Sequence, residues 1–144
     1  MLLLAFFLNF SFSIYFNEKG LGQGKVIIKD AVVWVGLART SEEKSRGLSG
    51  RESLAEDEGL LFVFDKKDFH SFWMKDMNFP LDIIWIADNK IVGIVHNALV
   101  SDNINGGIPA FLSPEPVNYV LEVNAGFCEK NYIQVNDEVL IQAQ

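Results

Sequence analysis

The sequence predicts a mainly β domain of the α+β kind: a small curled sheet of antiparallel or mixed strands, barrel- or sandwich-like, with one or two short helices. Three observations carry that prediction. Apolar runs rich in β-branched and aromatic residues recur at strand length, as in LLFVF at 60–64 and LDIIWI at 81–86. Nearly all links between them are short, and the runs do not alternate with helical patterns as βαβ units require. At 144 residues, 49% of them hydrophobic, the chain makes one domain with a real core.

Taken in order, residues 1–16 (MLLLAFFLNFSFSIYF) carry no charge. They are expected to be a signal or membrane-anchor segment, short of the roughly 20 apolar residues a span needs. A basic stretch before them is missing, and Ser11-Phe12-Ser13 is the one small-x-small cleavage candidate, which a start further upstream would explain. No cysteine lies near enough for lipoprotein acylation. Residues 17–24 (NEKGLGQG) read as a flexible tether, and 25–144 as a single β-rich domain.

Residues 25–38 (KVIIKDAVVWVGLA) hold two strand-like runs parted at Lys29-Asp30, either one long bent strand or a tight hairpin. Thr40-Ser41-Glu42-Glu43 then has the capping-box pattern, in which the threonine hydroxyl accepts from the Glu43 amide and the glutamate reaches back. A short helix to Arg46 follows, with Gly47 at its end, and Leu48 and Leu54 tuck the segment onto the sheet. After the strand at 60–64, Asp65-Lys66-Lys67-Asp68 reads as a turn.

Residues 71–86 (SFWMKDMNFPLDIIWI) read as strand, polar bend and strand, with Pro80 tolerated where no ladder donor is needed. A loop at 87–90 and a strand at 91–96 complete a hairpin. Residues 101–116 (SDNINGGIPAFLSPEP) form a long Gly- and Pro-rich segment, read as a binding loop or a disordered excursion. A strand at 117–123, one helical turn at 127–131 and a closing strand at 138–141 end the domain.

Charge narrows the function classes. All 19 acidic and 12 basic residues lie after position 16, giving a net charge of −7 and no basic run, so nucleic acid is not an expected partner. The membrane is expected to be met only through residues 1–16, which places the domain outside the cytoplasm: secreted, periplasmic or tethered. Cys128 stands alone, so no intramolecular disulfide forms, which a domain of this size does not require. His70 and His96 lack metal-type spacing with each other or with Cys128, and no cofactor motif is present, so neither metal nor cofactor is expected.

Several blocks taken together resemble one family. They are Arg46-Gly47-Leu48 with Arg51 and Leu54, GLLFVF at 59–64, Phe72-Trp73-Met74-Lys75, Pro80-Leu81-Asp82-Ile83, and YVLEVNAG at 119–126. In this order they are similar to the domain-of-unknown-function family 192, over about residues 32–141. The chain departs from the family's pattern at Ser49 and Leu60, where methionine is common. The resemblance implies a small, mainly β domain with an embedded helix and an N-terminal export or anchor segment, and it carries no established reaction.

The polar members of these blocks are the candidate site: Arg46, Arg51, Trp73, Lys75, Asp82 and Glu122. Asp82 and Glu122 interrupt otherwise apolar strands, where an ionised carboxylate is costly unless it is paired or left wet. Each is expected to find an arginine from the segment after the helix, while Trp73 shares a face with Lys75 and stacks on a ligand beside it. A structural ion-pair cluster is the weightier reading of the charges alone. Three functions follow: binding of a small ligand or envelope protein at a charged rim under the 101–116 loop; a hydrolase or lyase with Asp82 or Glu122 as general base; or a structural envelope component. The enzyme reading has a distinguishing sign, a carboxyl of raised pKa facing a pocket.

Overall fold

The computed structural model describes residues 20–100 and 107–143. The apolar run at 1–16, the tether up to residue 19 and the start of the long loop lie outside them. The elements are β1 (Gly22–Ile28), β2 (Ala31–Ala38), α1 (Ser41–Arg46), β3 (Glu58–Asp68), β4 (Ser71–Trp73), β5 (Leu81–Ala87), β6 (Lys90–Ala98), β7 (Ala110–Leu112), β8 (Val117–Asn124), α2 (Phe127–Lys130) and β9 (Val139–Ala143).

Seven strands form one mixed sheet in the order β6-β5-β8-β3-β2-β1-β9, curled into a half-barrel. Only β2 and β3 run parallel, because α1 and the loop after it carry the chain back before β3 begins. The curl brings the two edges together: the Ile91 amide of β6 donates to the Asp137 carbonyl at 3.0 Å, and the Asn136 amide donates to the Ile91 carbonyl at 2.8 Å. The outward backbone groups of Ile91, at the start of the β6 edge, are thereby satisfied.

The sheet has an apolar cluster on each face. One holds Leu60, Phe62, Leu81, Ile83, Trp85 and Val120. A two-stranded ribbon of β4 and β7 lies over it, and the Phe72 ring of β4 packs edge-on against Phe62 at 4.7 Å and Trp85 at 5.4 Å. The other face is closed by α2, whose Phe127 and Cys128 join Leu61, Ile84, Leu121 and Val123. No helix among the described residues is long and apolar enough to cross a membrane.

Residues 25–38 are a hairpin, with Lys29 at φ 53° in its turn. Three expectations are corrected. Gly22, Gln23 and Gly24 belong to β1, not to a tether, and pair with Leu37, Gly36 and Val35. The glycine at 24 is a close-approach residue, since a Cβ there would stand 2.9 Å from the Gln142 carbonyl oxygen of β9. Asp65 to Asp68 are not a turn but the exposed end of β3, whose pairing with β8 is irregular between Val63 and Asp68. Lys67 there reaches Asp88 at 2.8 Å, so the charges mark a solvated edge. Lastly, residues 110–112 of the long loop are β7, held by pairing with β4.

Candidate functional site

Glu122 sits in the middle of the sheet, opposite Leu60 of β3 on one side and Ile83 of β5 on the other. Alternation along β8 turns it to the same face as Val120, under α1. It is 5% exposed, and burial pushes its carboxyl up to about 8. None of the ion pairs among the described residues reaches it.

Above Glu122, α1 is pinned at its start by the capping box. The Thr40 hydroxyl accepts from the Glu43 amide at 3.1 Å, and the Glu43 carboxylate accepts from the Thr40 and Arg39 amides at 2.9 and 2.8 Å, which holds that carboxyl below its usual range. The helix ends at Gly47, with φ 51°, whose backbone passes close over the Phe62 ring. Lys44 and Arg46 thus come to stand at the lip of a cleft of about 300 Å³.

The opposite wall comes from the turn between β3 and β4. His70 is tied to Ser113 beyond β7 by two bonds, its amide to the Ser113 hydroxyl at 3.0 Å and the Ser113 amide to its carbonyl at 2.9 Å. The imidazole stacks on Phe64 at 3.6 Å, and its Nε2 is buried without a hydrogen-bond partner among the described residues. Burial, abetted by Lys44, holds His70 below its ordinary pKa, opposed by Asp68 and a hydrogen bond to the Val117 backbone. Phe62, Phe64, Phe72 and Trp73 complete an aromatic lining.

The expected site residues are only partly brought together. Arg46, Trp73 and Glu122 line this cleft. Lys75 does not line it, but its Nζ lies 5.4 Å from the centre of the Trp73 ring, which is 57% exposed. Arg51 faces a larger groove of about 570 Å³ on the far side of residues 46–49, and its guanidinium is engaged at 2.7 Å by Glu58. Among the described residues no buried acid lines the larger groove, so the smaller cleft is the stronger candidate.

Asp82 lies on the opposite face of the sheet, fully buried, and none of the ion pairs among the described residues joins it to an arginine. Its Oδ1 accepts from the amides of Asn97 at 2.9 Å and Gly126 at 3.3 Å, and its Oδ2 accepts from the Cys128 amide at 2.9 Å. It therefore anchors α2 and the end of β6. Cys128 is free and buried, and burial and the adjoining Asp82 carboxylate raise its thiol well above the usual range. Among the described residues no three His, Cys, Asp or Glu side chains are grouped to hold a metal ion.

Sequence reasoning missed His70 and Lys44 as cleft residues. The tie of His70 to Ser113 spans 43 residues, which no local spacing reveals.

Residues 25–141 match the domain-of-unknown-function family 192, described as an uncharacterized ACR. The chain belongs to that family. Two solved structures share its fold. One, described as a putative transcription regulator from Sinorhizobium meliloti 1021, is 31% identical, with a TM-score of 0.73, covering 83% of this chain and 92% of that one. The other, a protein of unknown function from Novosphingobium aromaticivorans DSM 12444, is also 31% identical with a TM-score of 0.73, covering 82% and 83%. No curated protein matches the chain. The family membership explains the order of the motif blocks, and the fold now shows that Glu122 is the one acid in them that opens onto a cleft.

Proposed function

We propose that this domain binds a small molecule in the cleft between α1 and the β4–β7 ribbon, and that it works outside the cytoplasm, exported or tethered through residues 1–16. One observation carries the binding reading: Glu122 is a carboxyl in the centre of a hydrophobic sheet, without an ion-pair partner among the described residues, and it opens onto an aromatic cleft. Burying such a group weakens a fold. Its presence is accounted for if it meets a ligand. The apolar, uncharged residues 1–16 support the location.

Ligand screening by thermal unfolding tests the site. A compound at about 100 times its Kd adds roughly 2.7 kcal/mol and moves the midpoint by several degrees. Ser45 is an exposed residue of the lip, so Ser45→Trp obstructs the cleft without entering the core. Compounds that stabilise the wild type are expected to leave this variant unmoved. Equal shifts in both would remove the cleft from consideration.

A second reading, a hydrolase or lyase, is favoured by the same raised carboxyl and by His70, whose Nε2 has no hydrogen-bond partner among the described residues, an acid and a base lining one cleft. Asp82 is unsuited to this work, because its oxygens hold backbone amides on the other face. Turnover of any stabilising compound, lost in Glu122→Gln and in His70→Gln alike, would favour catalysis over binding. The regulator description of the Sinorhizobium structure is not extended to this chain, whose net charge of −7 opposes nucleic acid.

A further inference from the structure

Building on the binding reading, we propose that the ligand of this cleft is a small organic anion bearing an aromatic ring, a monocarboxylate in the simplest case. Three features of the lining point to it. The first is charge. The chain carries −7 overall, yet the titratable groups around this cleft are Lys44 and Arg46 from α1, His70 from the β3–β4 turn and Glu122 from β8. With His70 held neutral and Glu122 protonated at neutral pH, the described lining carries a net positive charge in a chain whose net charge is negative. A low-dielectric cleft concentrates that field on whatever enters. An ammonium ligand meets two cations at the lip, and an anion is drawn in.

The second feature is shape. Phe62 and Phe72 form walls that take the edge or face of a ring, with Trp73 at the open side, while Phe64 is covered by the stacked His70 imidazole at 3.6 Å and by the Lys44 Nζ at 4.3 Å. A cleft of about 300 Å³ accommodates one ring with a short side chain. The third is the donor at the floor. A protonated carboxyl donates to a carboxylate in a short, charge-assisted bond. An ionised one repels the same ligand.

This last point links binding to protonation with a definite sign. An anion that enters favours protonated Glu122, so its binding takes up protons where the residue is partly ionised, near pH 8. A cation releases protons, and a neutral ligand does neither. The other charged groups nearby do not reverse this: Glu43 is spent on the α1 cap, Glu58 on Arg51, Asp82 faces the other side of the sheet, and Asp68, the acid that acts on His70, lies on the exposed end of β3 and accepts from the Phe69 amide.

The test is calorimetric titration of the full chain with phenylacetate, phenethylamine and phenethyl alcohol, which share a ring and differ in the charge of the tail. Each is measured across pH and in buffers of different ionisation heat. Phenylacetate is expected to bind at least tenfold more tightly than the amine at neutral pH. Its affinity should fall roughly tenfold per pH unit above about 8, with proton uptake. In Glu122→Gln the affinity should persist and lose its pH dependence. Lys44→Gln and Arg46→Gln should weaken phenylacetate severalfold and leave the alcohol unchanged. If the amine or the alcohol binds as well as phenylacetate, or binding proceeds without proton uptake, the anion assignment is wrong and the cleft remains a binding site. If none of the three binds at millimolar concentration, the aromatic-anion assignment is likewise wrong, and the binding reading stands or falls separately on the Ser45→Trp comparison.

Discussion

Asp82 and Glu122 lie on opposite faces of the sheet. Ile83 pairs with Glu122 across the β5–β8 ladder, so Asp82, one residue earlier, is turned the other way. One acid holds backbone amides and the other opens onto a cleft. Substitutions at the two positions therefore separate cleanly.

Replacing Asp82 by alanine strands the buried amide of Cys128 and removes the acceptor of the part-buried amides of Asn97 and Gly126. A buried amide left unpaired costs about 1–3 kcal/mol and the wetter pair less, so Asp82→Ala should lose about 3 kcal/mol, and Asp82→Asn less, because one oxygen remains. Urea unfolding should show a lower midpoint at unchanged slope. Ligand affinity at the cleft should not change in the asparagine variant.

Glu122 makes the opposite prediction for pH. Its carboxyl is raised in the fold from 4.5 to about 8, so the folded state holds a proton that the unfolded chain releases. Its contribution is fully present below pH 4.5 and is lost as pH rises to about 8. Glu122→Gln should match the wild type near pH 4.5 and be the more stable protein at pH 9, by a few kcal/mol. Chemical denaturation at the two pH values reads this directly, and a wild type that gains on the variant with rising pH contradicts it.

Arg51 and Glu58 form an ion pair at 2.7 Å, with both side chains nearly buried. Removing one partner leaves the other charged in a dry place, and Arg51→Met should cost about 3–5 kcal/mol. The double variant Arg51→Met/Glu58→Leu should recover much of that loss. A double-mutant cycle in urea measures the coupling.

The α1 cap positions the cleft lip. Thr40→Ala removes the acceptor for the Glu43 amide and should cost about 1 kcal/mol. Faster hydrogen exchange is expected in residues 41–46, with the sheet amides unchanged. Since Lys44 and Arg46 ride on this helix, anionic ligands should weaken in the same variant.

Much of this was legible before any tertiary contact was considered, for reasons that differ by element. The α1 cap depends on residues three apart, so Thr40 and Glu43 specify it by themselves. The central strands were readable because burial on both faces demands continuous apolar runs, as in β5. The end of β3 was not, because Asp65 to Asp68 satisfy an exposed edge with the same residues that make turns.

The sequence by itself determined the family, the β class, the embedded capped helix, and the fact that Asp82 and Glu122 are out of place among apolar neighbours. These are local properties of composition and spacing. Only the tertiary structure decided what each acid does. Alternation relates side chains along one strand, but the relation between two strands is set by their register, and Ile83 and Glu122 are brought opposite each other by pairing across the whole β6–β7 interval. That long-range register gives one carboxylate three amides and leaves the other facing an aromatic cleft.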